Sequence, residues 1–358
     1  MRVVLSGYYG FGNLGDEAIL AAMLAALRSR LPQASYTVLS GDPSSTEHQH
    51  GVTAVGRSSP ALLRALSGAD LFISGGGSLI QDATSVRSAL YYLGVLRAGR
   101  MLARRAMVYA QGIGPIRRPW LRTLVGRVCG GVDLLTVRDE DSRRLLQECG
   151  VRRPVEVVAD PVFALAAAPA ERAVALLGAS KGPRIGVALR PWGDDGYVAP
   201  LVAGLRVLRD QAGAEVVLLV FHPAKDEALS ARVASDLGAR VIAGVTPEEM
   251  LAVIGALDLV VGARLHALIC AVAAAVAPVG LTYDPKVDAL AARIGVRALL
   301  PVGSLTAATA AQTLSAAWSE REQTRAALRA RLPALRSAAL RAAELASTLA
   351  GNSPKSTE

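Results

Sequence analysis

Short β-branched runs alternate with stretches of helical period along most of the chain. Arg2–Ser6 reads as a strand and Asp16–Arg30 as a helix stopped by Leu31-Pro32. Tyr36–Leu39, Asp70–Ser74, Ala106–Ala110, Leu134–Val137 and Val155–Val158 read as further strands. A helix running to about Arg104 follows the glycine turn after Ser74, and Asp139–Glu148 forms another that Gly150 ends. Strands that alternate with helices in this way predict a parallel sheet joined by crossover helices.

The alternation lapses at the Ala- and Pro-rich stretch Ala164–Ala170 and the breaker cluster Ser180-Lys181-Gly182-Pro183, then starts again. Strands are predicted at Arg184–Leu189, Glu215–Phe221, Leu259–Val261 and Val279–Leu281. Helices are predicted at Val198–Gln211, at Ala224–Leu237, from an N-cap at Thr246 with Glu249 as its capping-box partner, and after Arg264. Thr306–Leu349 is helical by pattern, and Arg321, Arg325 and Arg329 give it one basic, solvated face. The predicted organisation is α/β: a first domain over 1–168, a second over 182–305, C-terminal helices over 306–350 and a frayed end over 351–358.

Composition agrees with a well-buried chain. Hydrophobic residues are 52% and charged residues 19% of the 358, while aromatics are only 4%, which favours Ala/Leu/Val helices packed on parallel strands. The longest apolar stretch, Ala267–Leu281, contains Pro278 and reads as a buried helix and then a buried strand, since a bilayer span needs about 20 residues. No signal peptide is read at the N-terminus. The three cysteines have no pairing or metal-ligand spacing, so a soluble protein of a reducing cytoplasm is expected.

Charge adds one feature. The net charge is +9, and no acid lies between Asp82 and Asp133, a span with nine arginines from Arg87 to Arg127. Such a patch is either a solvated surface or one that attracts anions, including lipid headgroups. Nucleic acid is not expected as a partner, because no recognition motif and few aromatics for stacking are present.

The candidate chemistry lies where predicted strands end. The loop Gly7–Gly15 matches GxGxxG at Gly10, Gly12 and Gly15, but Asp16 and Glu17 at the helix start would repel a pyrophosphate, and no acid stands at the spacing a dinucleotide site wants. Asn13 and Asp16 are candidates to meet a sugar hydroxyl, with helix capping the other reading of Asp16. Gly75, Gly76 and Gly77 follow the next strand, Gln111 ends another, and Arg138 ends a fourth. Arg138 is either a substrate ligand or the ion-pair partner of Asp139 or Asp141.

In the second half, Arg264-Leu265-His266 stands where a strand enters a helix, at a terminus whose dipole favours an anion. Arg offers a planar fork to phosphate or carboxylate, and His can move protons near neutral pH. His222, Arg190 and Lys286 end neighbouring strands and complete the set, whereas His48 and His50 read as surface residues of a polar loop. No metal constellation is present in the sequence pattern.

Taken jointly, GYYGFGNLGDEAIL, SGGGSLIQD, AQGIGP, VRDEDS, ADPVF and GARLHALICA resemble the polysaccharide pyruvyl transferase family, and within it the CsaB-type enzymes of cell-surface assembly. The likeness covers about Met1 to Ile294. It implies a GT-B-like pair of Rossmann-like domains facing a cleft, and phosphoenolpyruvate as donor with no cofactor. It also implies a lipid-linked wall-polymer precursor as acceptor, modified as a 4,6-ketal on N-acetylmannosamine, the ligand by which S-layer homology domains attach. On this resemblance Arg264, Leu265 and His266 contact the donor, Arg138 adds a second donor contact, and peripheral contact with anionic membrane is compatible. A GT-B nucleotide-sugar glycosyltransferase or epimerase is the alternative on the same fold.

Overall fold

The computed structural model describes residues 1–83, 85–179, 182–283 and 296–351. The candidate Lys286 lies outside the described residues. The chain divides into two compact units, Met1–Leu165 joined by the segment from Leu335 onward, and Ala166–Ala334.

The first unit is an all-parallel sheet of β1 (Arg2–Ser6), β2 (Ser35–Ser40), β3 (Thr53–Gly56), β4 (Leu71–Ser74), β6 (Ala106–Ile113), β7 (Leu134–Val137) and β8 (Glu156–Val157). Their spatial order is β3-β2-β1-β4-β6-β7-β8, and β5 (Gly77–Ile80) pairs with the far end of β6. The crossover helices are α1 (Leu14–Arg30), α2 (Pro43–His50), α3 (Ala61–Ser67), α4 (Val86–Leu102), α5 (Pro119–Cys129) and α6 (Glu140–Glu148). Strand order reverses beside β1, so the β1 and β4 loops open at the topological switch point, where ligands of such sheets bind.

Helix α1 is buried almost all round from Gly15 to Leu27, which explains why its sequence has little amphipathic contrast. It packs beneath the 3-10 turn Pro161–Ala164, and this contact brings the ADPVF segment to the start of α1.

The second unit holds the parallel sheet β11-β10-β9-β12-β13-β14, formed by β9 (Arg184–Ala188), β10 (Glu215–Leu219), β11 (Arg240–Ile242), β12 (Leu259–Gly262), β13 (Ala277–Thr282) and β14 (Ala298–Pro301). Its described helices are α7 (Ala170–Leu177), α8 (Val198–Ala212), α9 (Pro223–Leu237), α10 (Pro247–Gly255), α11 (Leu265–Ala273), α12 (Ala307–Ser319) and the first part of α13 (Arg321–Gly351). The strand order reverses beside β9. Thr246 and Glu249 form the expected capping box, and the stretch Ala267–Leu281 is a buried helix followed by a buried strand.

Some expectations are corrected. The polar segment holding His48 and His50 is helix α2, not a loop. Its only buried residue is Thr46, so no hydrophobic period announces it, and its signals are the Asp42 N-cap and Pro43 at the first turn. Arg321 and Arg325 are not simply solvated: Arg321 lies 4.1 Å over the Trp318 ring, and Arg325 donates to the Leu257 carbonyl. The end of α13 belongs to the first unit, where Glu344 pairs with Arg30 at 2.8 Å and Arg341 with Glu156 at 2.8 Å.

Two glycines test the packing. A Cβ on Gly126 of α5 would run into the Cys149 carbonyl, while one on Gly94 of α4 would meet open space. Gly126→Ala should cost about 1–3 kcal/mol, and Gly94→Ala should gain about 0.5–1 kcal/mol. Urea denaturation of the two variants and the native chain measures both signs.

Candidate functional site

In the first unit, the carboxyl edge of the sheet concentrates carboxylates around one guanidinium. Asn13 is the N-cap of α1, and its side-chain amide donates to the Asp16 carboxylate one turn on. Capping therefore falls to Asn13, which leaves Asp16 facing Gly77, where a Cβ would stand 3.0 Å from Asp16 Oδ1. Asp16 is buried, and burial, reinforced by Glu17 beside it, pushes its carboxyl up to about 7 despite the nearby Arg138. Glu17 is buried too. It accepts from the Gly10 amide at 2.9 Å and stands 3.6 Å from His50 Nε2, whose side chain is only 6% exposed. His50 is thus an interior partner of Glu17, not the surface residue its polar surroundings suggested.

The three consecutive glycines are explained by protein atoms. A side chain on Gly75 would strike the Tyr9 hydroxyl, and one on Gly76 would come within 2.9 Å of Ile19, while Gly77 has φ +88°. They let α1 press against the β4 loop and so deliver Asp16 to the edge. Gln111 is fully buried and holds the same loop, donating to Ser74 Oγ and to the Gly75 carbonyl, each at 2.8 Å. It reaches that position because β6 shifts register after Val108, with Ala110 at φ +47° and the Thr136 hydroxyl accepting the Ala110 amide at 2.8 Å. Such a bulge re-aims a side chain at the cost of local strain.

Arg138 is 5% exposed at its side chain. It donates to Asp160 at 3.0 Å and to Ser78 Oγ at 2.8 Å, with Asp139 farther off at 3.9 Å. Its main ion-pair partner is therefore Asp160, 22 residues on, and not Asp139 or Asp141. Gly112 makes room for the guanidinium, since a Cβ there would lie 2.7 Å from Arg138 Nε. With Asp16, Glu17 and Asp160 grouped there, this edge is carboxylate-rich, and Arg138 is the cation set among them.

The second unit has the opposite character. Arg264 is the N-cap of α11, with Leu265 and His266 in its first turn. Asp226, in the first turn of α9 and fully buried, accepts from Arg264 Nε at 2.9 Å and from Nη2, and also from the His222 amide at 3.0 Å. One carboxylate thus ties the starts of two helices together and holds the Arg264 fork sideways, leaving Nη1 unspent among the described residues. The His222 ring is buried, and neither of its nitrogens has a hydrogen-bond partner among the described residues. Burial, with Lys225 and Arg264 nearby, lowers its pKa, so the imidazole is neutral at pH 7. Arg190, after β9, donates to the Tyr283 hydroxyl at 2.9 Å and lies over the Tyr283 ring, which packs on Trp192.

Arg264, His222 and Arg190 thus stand at the carboxyl ends of β12, β10 and β9, three adjacent strands. Asp160 and Asp226 were not singled out from sequence. Asp160 is the acid of ADPVF, and Asp226 lies four residues after His222, at a first-turn position open to a back-accepted hydrogen bond. No group of three or more His, Cys, Asp or Glu able to hold a metal occurs among the described residues.

Two outcomes follow. Asp226→Ala should cost roughly 3–5 kcal/mol, because it strands a mostly buried guanidinium, and the urea midpoint measures it. For Asp16 the folded pKa of about 7 exceeds the unfolded value of 3.8. Below pH 4 both states hold the proton; from pH 4 to 7 only the folded state does, so stability falls as pH rises through that window. Asp16→Asn should therefore melt higher than the native chain at pH 7.5 and lose that advantage at pH 4.

Comparisons give this geometry a context. The chain is similar in fold to a glycosyltransferase from Rickettsia africae (TM-score 0.63, 11% identity, 98% of this chain and 99% of that one). It is similar also to the UDP-GlcNAc 2-epimerase of Neisseria meningitidis bound to UDP-GlcNAc (TM-score 0.62, 10% identity, 97% and 99%). The ADP-heptose lipopolysaccharide heptosyltransferase II of E. coli is a more distant likeness (TM-score 0.53, 16% identity, 89% and 99%). At such identities the likeness establishes the two-sheet GT-B architecture and nothing of the chemistry. Among curated proteins no sequence match is found. The profile of the polysaccharide pyruvyl transferase family matches residues 13–285, from the Asn13 cap through the Arg264-Leu265-His266 turn, and the chain belongs to that family.

Proposed function

We propose that this transferase takes the enolpyruvyl unit from phosphoenolpyruvate and closes it as a ketal on two hydroxyls of a sugar in a cell-wall or surface polysaccharide precursor. The acceptor in this reading is N-acetylmannosamine, lipid-linked and modified at positions 4 and 6. The observation that carries the reading is the Arg264 fork, set sideways by Asp226 at a helix N-terminus beside the neutral His222 and the cation Arg190. A carboxylate next to a phosphate needs guanidinium forks and helix N-termini more than a deep pocket.

The chemistry balances without a redox partner. A proton adds to the methylene carbon of the donor and makes it a methyl group, and C2 becomes electrophilic. One sugar hydroxyl bonds to C2, phosphate leaves with its oxygen, and the second hydroxyl closes the ring. Of the two hydroxyl protons, one replaces the proton spent on the methyl group and the other leaves with phosphate. Arg264 neutralises donor charge, and Leu265 contacts the donor in the same turn. His266 delivers the proton or holds the phosphate.

On the acceptor side, Asp16 has a proton affinity matched to accepting a hydroxyl proton near neutral pH. Asn13 orients it, and Arg138 nearby restrains the rise in the Asp16 proton affinity. S-layer anchoring by the pyruvylated polymer is the biological use this product would have. No helix among the described residues is long and apolar enough to cross a membrane.

Phosphate release from phosphoenolpyruvate should depend on a lipid-linked disaccharide acceptor, with no turnover of UDP-sugars. Turnover of UDP-sugars instead would favour the glycosyltransferase or epimerase reading. His266→Ala should lower kcat by roughly 10²–10⁴-fold without lowering the melting temperature.

A further inference from the structure

Three helices of the first unit lie side by side on one face of its sheet, with α4 packed between α3 and α5. Their buried positions are ordinary core residues, among them Leu62, Leu66, Leu93, Leu96, Leu121 and Val125. Their outward positions are not ordinary. On α4 the exposed residues Arg87, Leu90, Gly94, Arg97 and Met101 recur at intervals of three and four, which places them in one stripe opposite the core. On α5, Trp120, Thr123 and Arg127 form a second exposed stripe, and α3 presents Leu63 and Arg64. The outward face therefore carries four large apolar side chains, Leu63 (53% exposed), Leu90 (40%), Met101 (69%) and Trp120 (51%), standing among arginines.

Seven arginines on or beside these helices fall into two groups. Arg105, Arg118 and Arg122 are spent on Asp133, Asp82 and Glu148. Arg64, Arg87, Arg97 and Arg127 have neither an ion pair nor a side-chain hydrogen bond among the described residues, and for the last three no acid occurs in the sequence between Asp82 and Asp133 to supply one locally. Solvation alone accounts for exposed arginines. It gives no reason for Trp120 and Met101 to stand half or more exposed beside them, because exposed aromatic and apolar side chains cost free energy in water.

We propose that the α3–α4–α5 face docks on the surface of an anionic lipid bilayer. The four unpaired guanidiniums match the negative surface potential of such a membrane, and Trp120, Met101, Leu90 and Leu63 enter the headgroup boundary, where Trp is favoured. The combination selects a bilayer over a soluble polyanion: nucleic acid or an acidic protein would satisfy the charges but leave the apolar side chains in water. This face lies outside the residues assigned to donor and acceptor chemistry, so the inference stands or falls separately from the proposed reaction.

Sedimentation of the full chain with vesicles tests it. Retention is expected on vesicles of phosphatidylcholine mixed with phosphatidylglycerol, and not on phosphatidylcholine alone. Neutralising R64Q, R87Q, R97Q and R127Q together should weaken partitioning several-hundredfold, at roughly fivefold per arginine. W120S with M101S should keep the salt-sensitive binding but lose what remains at about 1 M salt, where the screening length shrinks to about 3 Å. The far-UV circular dichroism and urea midpoint should be unchanged in both variants, which reports that they fold. Equal retention on both vesicle types, or native binding by the quadruple variant, overturns the proposal. So does binding to duplex DNA as tight as to the anionic vesicles and indifferent to W120S/M101S, which would mark a surface for polyanions of any kind.

Discussion

The buried carboxylate of Asp226 is the constraint on which the strand edge of the second unit depends. A guanidinium at a helix N-terminus is electrostatically disfavoured, since the dipole there repels cations and favours anions. Arg264 holds that position because Asp226, reaching across from the first turn of α9, takes two of its N–H groups and a backbone amide at once. The charge of the arginine is thereby compensated on one side and left with an open donor on the other. The fork is thereby held in one orientation, and little side-chain entropy remains for it to lose on meeting an anion.

The two strand edges are built with contrasting charge. In the first unit three buried acids, Asp16, Glu17 and Asp160, stand with one arginine, and burial, reinforced by the neighbouring Glu17, lifts the Asp16 proton affinity into the neutral range. In the second unit burial, with Lys225 and Arg264 nearby, lowers the His222 pKa against the opposing pull of Asp226. Both edges lie at a topological switch point of a parallel sheet, where helix N-termini converge without any added framework.

The glycine-rich loops show how a motif read as a ligand loop can have a cause within the protein itself. Gly75, Gly76 and Gly77 stand at the carboxyl edge of the sheet, after β4. Their immediate reason is the approach of α1 and Tyr9 to the β4 loop, which is what delivers the Asp16 carboxylate. Gln111 shows the same pattern: it stands at the strand end as the motif suggested, yet its amide is spent holding that loop from within. The polar helix α2 escaped detection because a helix with one buried residue leaves no hydrophobic period to read.

What the sequence determined by itself was whatever depends on local periodicity and on neighbours along the chain. The order of strands and helices, the Thr246 capping box, the two α/β sheets and the Arg264-Leu265-His266 turn at a helix start all follow from residues within a few positions of one another. Only the tertiary structure decided the partners. Asp160 for Arg138, Asp226 for Arg264 and His50 for Glu17 join residues 22, 38 and 33 positions apart on separate elements. Coulombic pairing and desolvation act through space, so which carboxylate meets which cation is fixed by how the helices pack on their sheets, and spacing along the chain carries no record of it.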